Sequence, residues 1–315
     1  MENTPTPSVE SAAPVPVQVP QYRLPDVGVL LRATWIFYRT NFELILKISA
    51  SAFVCSAVGL TLEKSQPLLF VIVTLVALLL GFLTQIALAA TVVDEEKEVG
   101  HAFTRARSLF TPYAWMSFLI MLAVLGGVFL FIIPGIIIAI LLSFTIFVLL
   151  AENIKGFPAL SKSWYYGKGF VGAILWRLIV LGVGLLIIRS VLIAVTDPGS
   201  IMADSERELS LIGKFVDLSF ASFVATPLGV IFSFYLYKAL RMIKVAESVE
   251  LEESTRKRNL KLFISLGIFG LIALLAIAVY FTMMIASIFS FNVAEYASMA
   301  SVILSSTSEL LPAGI

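Results

Sequence analysis

The 315-residue chain is 59% hydrophobic and only 14% charged, with a mean hydropathy of +0.98. A soluble domain carries about 25% charged and about 45–50% apolar residues, so ordinary soluble folding is excluded. A net charge of +1 gives no basis for nucleic-acid binding. One cysteine (Cys55) and one histidine (His101) exclude an internal disulfide and a metal site rich in either residue.

Met1 to Pro25 holds six of the 13 prolines and lacks the apolar core and leading positive charge of a signal peptide. It is predicted as a disordered cytoplasmic tail, residues 1–25, so the first span does the targeting. Asp26 then stands as an N-cap before VGVLLRATWIFYRTN. Arg32 and Arg39 are seven apart, on one helix face, among Leu30, Leu31, Trp35 and Tyr38. That mixture predicts an interfacial helix with its rings at headgroup depth. The alternative is the start of a long first span.

Span 1 is read as Phe42–Leu62, with Glu43 and Lys47 four apart and able to pair. Span 2 is Pro67–Val93, charge-free between Lys64 and Asp94 and longer than the roughly 20 residues a bilayer needs. A second amphipathic stretch, Glu98–Pro112, follows, with Ala102, Phe103, Ala106, Leu109 and Phe110 at helical spacing against Arg105 and Arg107. His101 lies inside it and is read as an ordinary polar residue.

The run from Ser108 to Ala151 carries no charge and is long enough for two spans. Pro134 removes a donor and biases Ile133 away from helix, and Gly135 tolerates a tight turn. The two residues are therefore expected to form a hairpin turn between span 3 (Tyr113–Ile132) and span 4 (Gly135–Ala151). One long kinked helix is the alternative. Basic residues stand on both flanks, Lys97, Arg105 and Arg107 before and Lys155, Lys162 and Lys168 after. Basic loops belong on one side of a membrane, so an even number of spans separates them.

Lys155–Gly169 is a third amphipathic stretch, expected to lay Leu160, Trp164 and Phe157 against acyl chains and Lys162 and Lys168 against phosphates. Span 5 is Phe170–Ile188 and contains Arg177. A polar loop, Arg189–Lys214, leads to span 6, Phe215–Tyr237, with Asp217 near its start. A charged linker over 246–261 precedes a seventh span over 262–289. The tail over 290–315 has no basic residue and is assigned to the outside. Three times an amphipathic stretch precedes a pair of spans, which suggests hairpin units over 26–93, 94–151 and 152–244. Together they make a six-span domain, 26–245. The prediction is an all-α polytopic membrane protein of about seven helices, in the cell membrane, with its amino-terminus cytoplasmic.

The central stretch resembles a known family. Its pattern is Ile133-Pro134-Gly135, Glu152, Ala159-Leu160, Ser163-Trp164 and Gly167-Lys168-Gly169, with Val99-Gly100 upstream and Phe170 downstream. This is similar to the membrane domain that precedes some bacterial glycerophosphodiester phosphodiesterases, and to related multi-spanning inner-membrane proteins. The resemblance covers roughly residues 26–245 and is strongest over 94–185. In the fused enzymes a separate soluble barrel hydrolyses the substrate with histidines and metal-binding carboxylates. With His101 alone that chemistry cannot be assembled here, so the resemblance implies a membrane part without its enzyme.

No Walker-type phosphate loop and no Ser-His-Asp set occurs. No catalytic, cofactor or metal residue is assigned. The acidic runs are read as solvated faces, with Asp204, Glu206 and Glu208 the one set that could weakly hold a divalent ion. Gly126-Gly127 and Gly182-x-Gly184 are read as close-packing positions. The residues singled out are structural: Pro134, Gly135, Glu152, Ala159, Ser163, Trp164, Gly167 and Arg177. Arg177 lies inside a span and must either snorkel or pair, and Glu152 is the nearest carboxylate in sequence. The favoured expectation is that the two pair. The partners expected are the bilayer itself, anionic lipid headgroups and a membrane protein, with no nucleic acid. Function is read as non-enzymatic membrane organisation, with a small-molecule or lipid transporter as the alternative.

Overall fold

The computed structural model describes residues 23–63, 65–198, 209–246, 261 and 264–284. Most of the amino-terminal tail, the Asp204-Glu206-Glu208 set, nearly all of the charged linker, the edges of the last span and the carboxy-terminal tail lie outside them. Among the described residues there is no strand. The helices are α1 (Val27–Thr40), α2 (Phe42–Leu62), α3 (Pro67–Asp94), α4 (Val99–Leu130), α5 (Ile132–Leu142), α6 (Thr145–Glu152), α7 (Phe157–Gly167), α8 (Val171–Thr196), α9 (Leu211–Phe220), a π-helical segment (Ala221–Ala225), α10 (Thr226–Ala246) and α11 (Ile264–Met284). Taken as α2, α3, α4, α5 with α6, α8, α9 with α10, and α11, seven helical stretches are long and apolar enough to cross a membrane. The chain is an all-α, multi-pass membrane protein.

α1 is separate from the first span. Asn41 leaves helical geometry (φ −109°, ψ 22°), and its side-chain amide donates to the Phe37 carbonyl at 3.1 Å. Asp26 stands at the N-cap, but its side chain makes no capping hydrogen bond. Leu30, Thr34 and Tyr38 recur every four residues and are buried, and this face lies along α10. Glu43 and Lys47 pair at 2.6 Å, as their spacing predicts.

The second amphipathic stretch is not a separate helix. α4 runs unbroken from Val99 through Pro112 to Leu130. Pro112 withholds the donor that the Ser108 carbonyl would receive, but Ser108 is exposed, so that carbonyl is not stranded in the core.

The hairpin exists, but its turn is one residue, Phe131, in extended conformation (φ −165°, ψ 151°). Pro134 falls in the first turn of α5, where a missing N–H costs no intrahelical bond. Gly135 serves a different purpose from the expected turn. A Cβ there would meet Val128 backbone, and one on Gly127 would come within 2.9 Å of the Gly135 Cα. Glycine lets α4 and α5 touch backbone to backbone.

The fourth span is broken at Ser143-Phe144, between α5 and α6. Three consecutive carbonyls at the break receive hydroxyls. Ser143 donates to Ile140 at 2.8 Å, Ser163 to Leu141 at 2.7 Å and Thr145 to Leu142 at 2.7 Å. In lipid an unsatisfied backbone group costs several kcal/mol, and Ser and Thr are the usual remedy.

The sixth span holds a second irregularity. Pro227 has no N–H for the Phe223 carbonyl, and the Tyr38 hydroxyl donates there instead at 2.9 Å. The backbone shifts to a π turn, with the Thr226 N–H bonded to Ala221. α1 is thus fastened to the point where the sixth span departs from regular helix.

α8 reaches Thr196, so Arg189 belongs to a helix and not to the expected loop, and it pairs with Asp217 of α9. α11 crosses α4 at Gly126 and Gly270. A Cβ on either would collide with a carbonyl of the other helix, Leu266 or Leu122. Gly182 and Gly184 have no neighbour within 4 Å of a Cβ, so they pack against nothing described. The main core joins α1 to α8 and α10, and a smaller one sits between α4, α5, α7 and α11.

Candidate functional site: the Glu152 junction

α6 ends on Glu152, and Asn153 turns the chain in left-handed conformation (φ 53°). Gly156 (φ 68°) redirects it again into α7. Only residues tolerant of positive φ allow so short a reversal. The result brings α7 back beneath α5 and α6.

The Glu152 side chain is only 6% exposed. Its Oε1 accepts from the Tyr166 hydroxyl at 2.8 Å and the Tyr237 hydroxyl at 2.6 Å. Arg241 Nε lies 3.6 Å from the same oxygen, and Lys162 is ion-paired with Oε2. α7 therefore contributes a cation and a phenol four residues apart, Lys162 and Tyr166, and α10 contributes Tyr237 and Arg241 in the same spacing. Helical residues at i and i+4 share a face, so one carboxylate meets both pairs. Tyr166 and Tyr237 meet edge to face at 5.7 Å. Burial and the bond to Glu152 push the pKa of the Tyr166 phenol well above its ordinary 10.0, so it stays a donor. Lys244 lies over the rings of Tyr165 and Phe170 at 5.5 and 5.4 Å, tying the end of α10 to both sides of the α7–α8 turn.

The other motif residues divide into two places. Ala159, Ser163 and Gly167, four apart, form the buried small-residue face of α7. Ser163 caps Leu141 there, and a Cβ on Gly167 would come within 2.8 Å of the Leu141 side chain. Trp164 is half-buried against the smaller core, with Phe157, while Leu160 is 1% exposed. The expectation that these three face acyl chains is corrected for Leu160, which faces protein; Trp164 and Phe157 pack against the same core and keep part of their surface exposed. Hydrophobic periodicity marks an apolar surrounding and does not tell a protein interior from a lipid one.

Arg177 does not pair with Glu152. Its guanidinium donates to the Pro25 carbonyl at 2.8 and 3.1 Å, to Leu24 at 3.2 Å and to Ala173 at 2.8 Å. The segment entering α1 has carbonyls with no helical donor, and a planar five-donor group can satisfy several at once. Glu152 is already saturated by nearer partners. The expectation that Lys162 faces lipid phosphates is corrected: its ammonium is spent on Glu152. Tyr166, Tyr237 and Arg241 are not singled out from sequence. Their signal was the repeated i, i+4 pairing of a tyrosine with a cation.

Chemically the junction is a closed lock. Its carboxylate is occupied by two hydroxyls and two cations. Among the described residues no three His, Cys, Asp or Glu side chains converge on a possible metal position. No family model, curated protein or solved structure matches the chain.

Proposed function

We propose that this chain is a non-enzymatic protein of the cell membrane that organises lipids or partner membrane proteins, with its amino-terminus in the cytoplasm. The observation that carries this reading is how the polar groups of the spans are used. Arg177 serves backbone carbonyls, Glu152 holds three helices, and Asp217 takes Arg189. A coupled transporter keeps such groups for its cargo. The outward surface has a different character. Trp35, Trp115 and Trp176 are 56%, 56% and 60% exposed. Exposed Arg32, Arg39, Arg107 and Lys168 stand near them along the chain. Tryptophan and basic residues in company favour a headgroup region. The resemblance to the membrane part of phosphodiesterases that keep their chemistry in a separate domain points the same way.

The proposed orientation rests on the basic residues: Arg23, Arg32, Arg39, Lys97, Lys155, Lys168 and Lys244 belong to the segments assigned to the cytoplasm, against Lys64, Arg189, Arg207 and Lys214 in those assigned to the outside. A Phe131→Cys label in a Cys55→Ser background tests it. Phe131 is 75% exposed at the turn, whereas any side chain at Gly135 would strain the hairpin. A membrane-impermeant thiol reagent added outside should label it; labelling only after permeabilisation would reverse the orientation.

The transporter reading has one favouring observation, the interrupted fourth and sixth spans, since broken helices line many transport sites. Vesicles holding the purified protein and a fluorescent phospholipid separate the two. A scaffold leaves the inner-leaflet pool protected from a surface reductant while anionic lipid co-purifies with the protein. Rapid loss of the inner pool would establish a translocase instead.

A further inference from the structure

We propose that the outward face of α1 is a binding surface for the phosphate of an anionic phospholipid, gripped by Arg32 and Arg39 with Trp35 between them. The proposal rests on the lipid-organising reading and names its site. Trp35 lies three residues after Arg32 and four before Arg39, so all three share one face, and all three are exposed. The two arginines stand about 10 Å apart along the axis, two turns at about 1.5 Å per residue. Among the described residues neither guanidinium makes an ion pair or hydrogen bond. Arg105, Arg177, Arg189 and Arg241 all have protein partners. Val29 and Ile36, 61% and 55% exposed, border the arginines on the same outward side.

The helix is also held for this role. Its inner face is packed on α10, Tyr38 is bonded to Phe223, and Arg177 pins the carbonyls just before its first turn. A rigid platform loses little freedom on binding. Two guanidinium forks beside an indole suit a phosphate diester at the membrane surface: the forks take its oxygens, and the ring sits at the glycerol level. Charge complementarity commits the face to an anionic lipid over a zwitterionic one.

The test uses the full chain with Trp115, Trp164 and Trp176 changed to Phe, leaving Trp35 as the sole indole, in bilayer discs. Brominated phosphatidylglycerol and brominated phosphatidylcholine are compared as quenchers at equal mole fraction. Stronger quenching by the glycerol lipid is expected, and it should vanish in R32Q/R39Q. Two arginines near an anionic surface are worth about five-fold each, about thirty-fold together, in apparent affinity. Equal quenching by both lipids, or a preference that survives R32Q/R39Q, overturns the proposal. So does absence of quenching by either, which would mean that protein covers the face. If the three-Phe chain fails to fold, native mass spectrometry of the parent and its R32Q/R39Q variant decides by the anionic lipid each retains. Retention unchanged in the variant overturns this site alone; no anionic retention in either overturns the lipid-organising reading.

Discussion

Glu152 and Arg177 lie on flanking stretches of the same chain, and each solves the problem of a charge near lipid by opposite means. Glu152 takes partners that are all side chains, from α7 and α10, the farthest in sequence being Arg241. Arg177 takes partners that are all backbone, from its own helix and from the entry to α1. The carboxylate joins three helices through groups that substitution can remove one at a time. The guanidinium fixes the path of the chain through acceptors that no substitution removes. One is therefore a network with measurable internal coupling, and the other an independent pin.

Breaking the network at its centre should cost most. Glu152→Ala leaves Lys162, Arg241 and two phenols around an empty position, and losing one partner of a buried ion pair typically costs about 3–5 kcal/mol. Thermal unfolding in detergent should show the largest drop of any single change described here. Loss of less than about 1 kcal/mol would mean that water takes the place of the carboxylate.

Arg177→Met should cost less, about 1–3 kcal/mol, the range for stranding polar groups that were hydrogen-bonded. Its effect should also be local. Hydrogen exchange should rise over 23–30 while the amides of α7 keep their protection. Equal loosening of α7 would show that the pin and the network are one unit.

The sequence made the spans visible because long charge-free runs have few alternatives in a bilayer. Glu152 and Arg177 were both visible as misfits, one an acid among aromatics and the other a cation in a span. Their pairing was the wrong inference because proximity was judged along the chain. Nothing local shows that Tyr237 and Arg241 face α6, since that depends on how α10 is turned. Phe223 was legible in principle: Pro227 four residues later leaves its carbonyl without a donor. The donor, Tyr38, stands 185 residues earlier, and no spacing rule reaches that far. Leu160 is the position where the lipid-facing expectation fails, because apolar periodicity is the same against protein as against lipid.

A smaller effect distinguishes the network by pH. The Tyr166 phenol is held above its ordinary 10.0, so the folded protein keeps a proton that the unfolded chain gives up. By linkage this stabilisation is complete below 10.0 and declines as pH rises above it. Tyr166→Phe should be less stable than the parent at pH 8, and the gap should narrow by pH 11. A gap independent of pH would place the phenol outside the network's charge balance.

The central claim is that the charged groups of the spans are fasteners, each spent within the chain and separate from the others. A pair of double-mutant cycles by thermal unfolding in detergent tests it most directly. Glu152→Gln is combined in one with Tyr237→Phe and in the other with Arg177→Met. The first pair shares a hydrogen bond and should couple by about 1–2 kcal/mol; the second shares no partner and should add to within about 0.5 kcal/mol. Strong coupling of Glu152 to Arg177, with none to Tyr237, would contradict the claim.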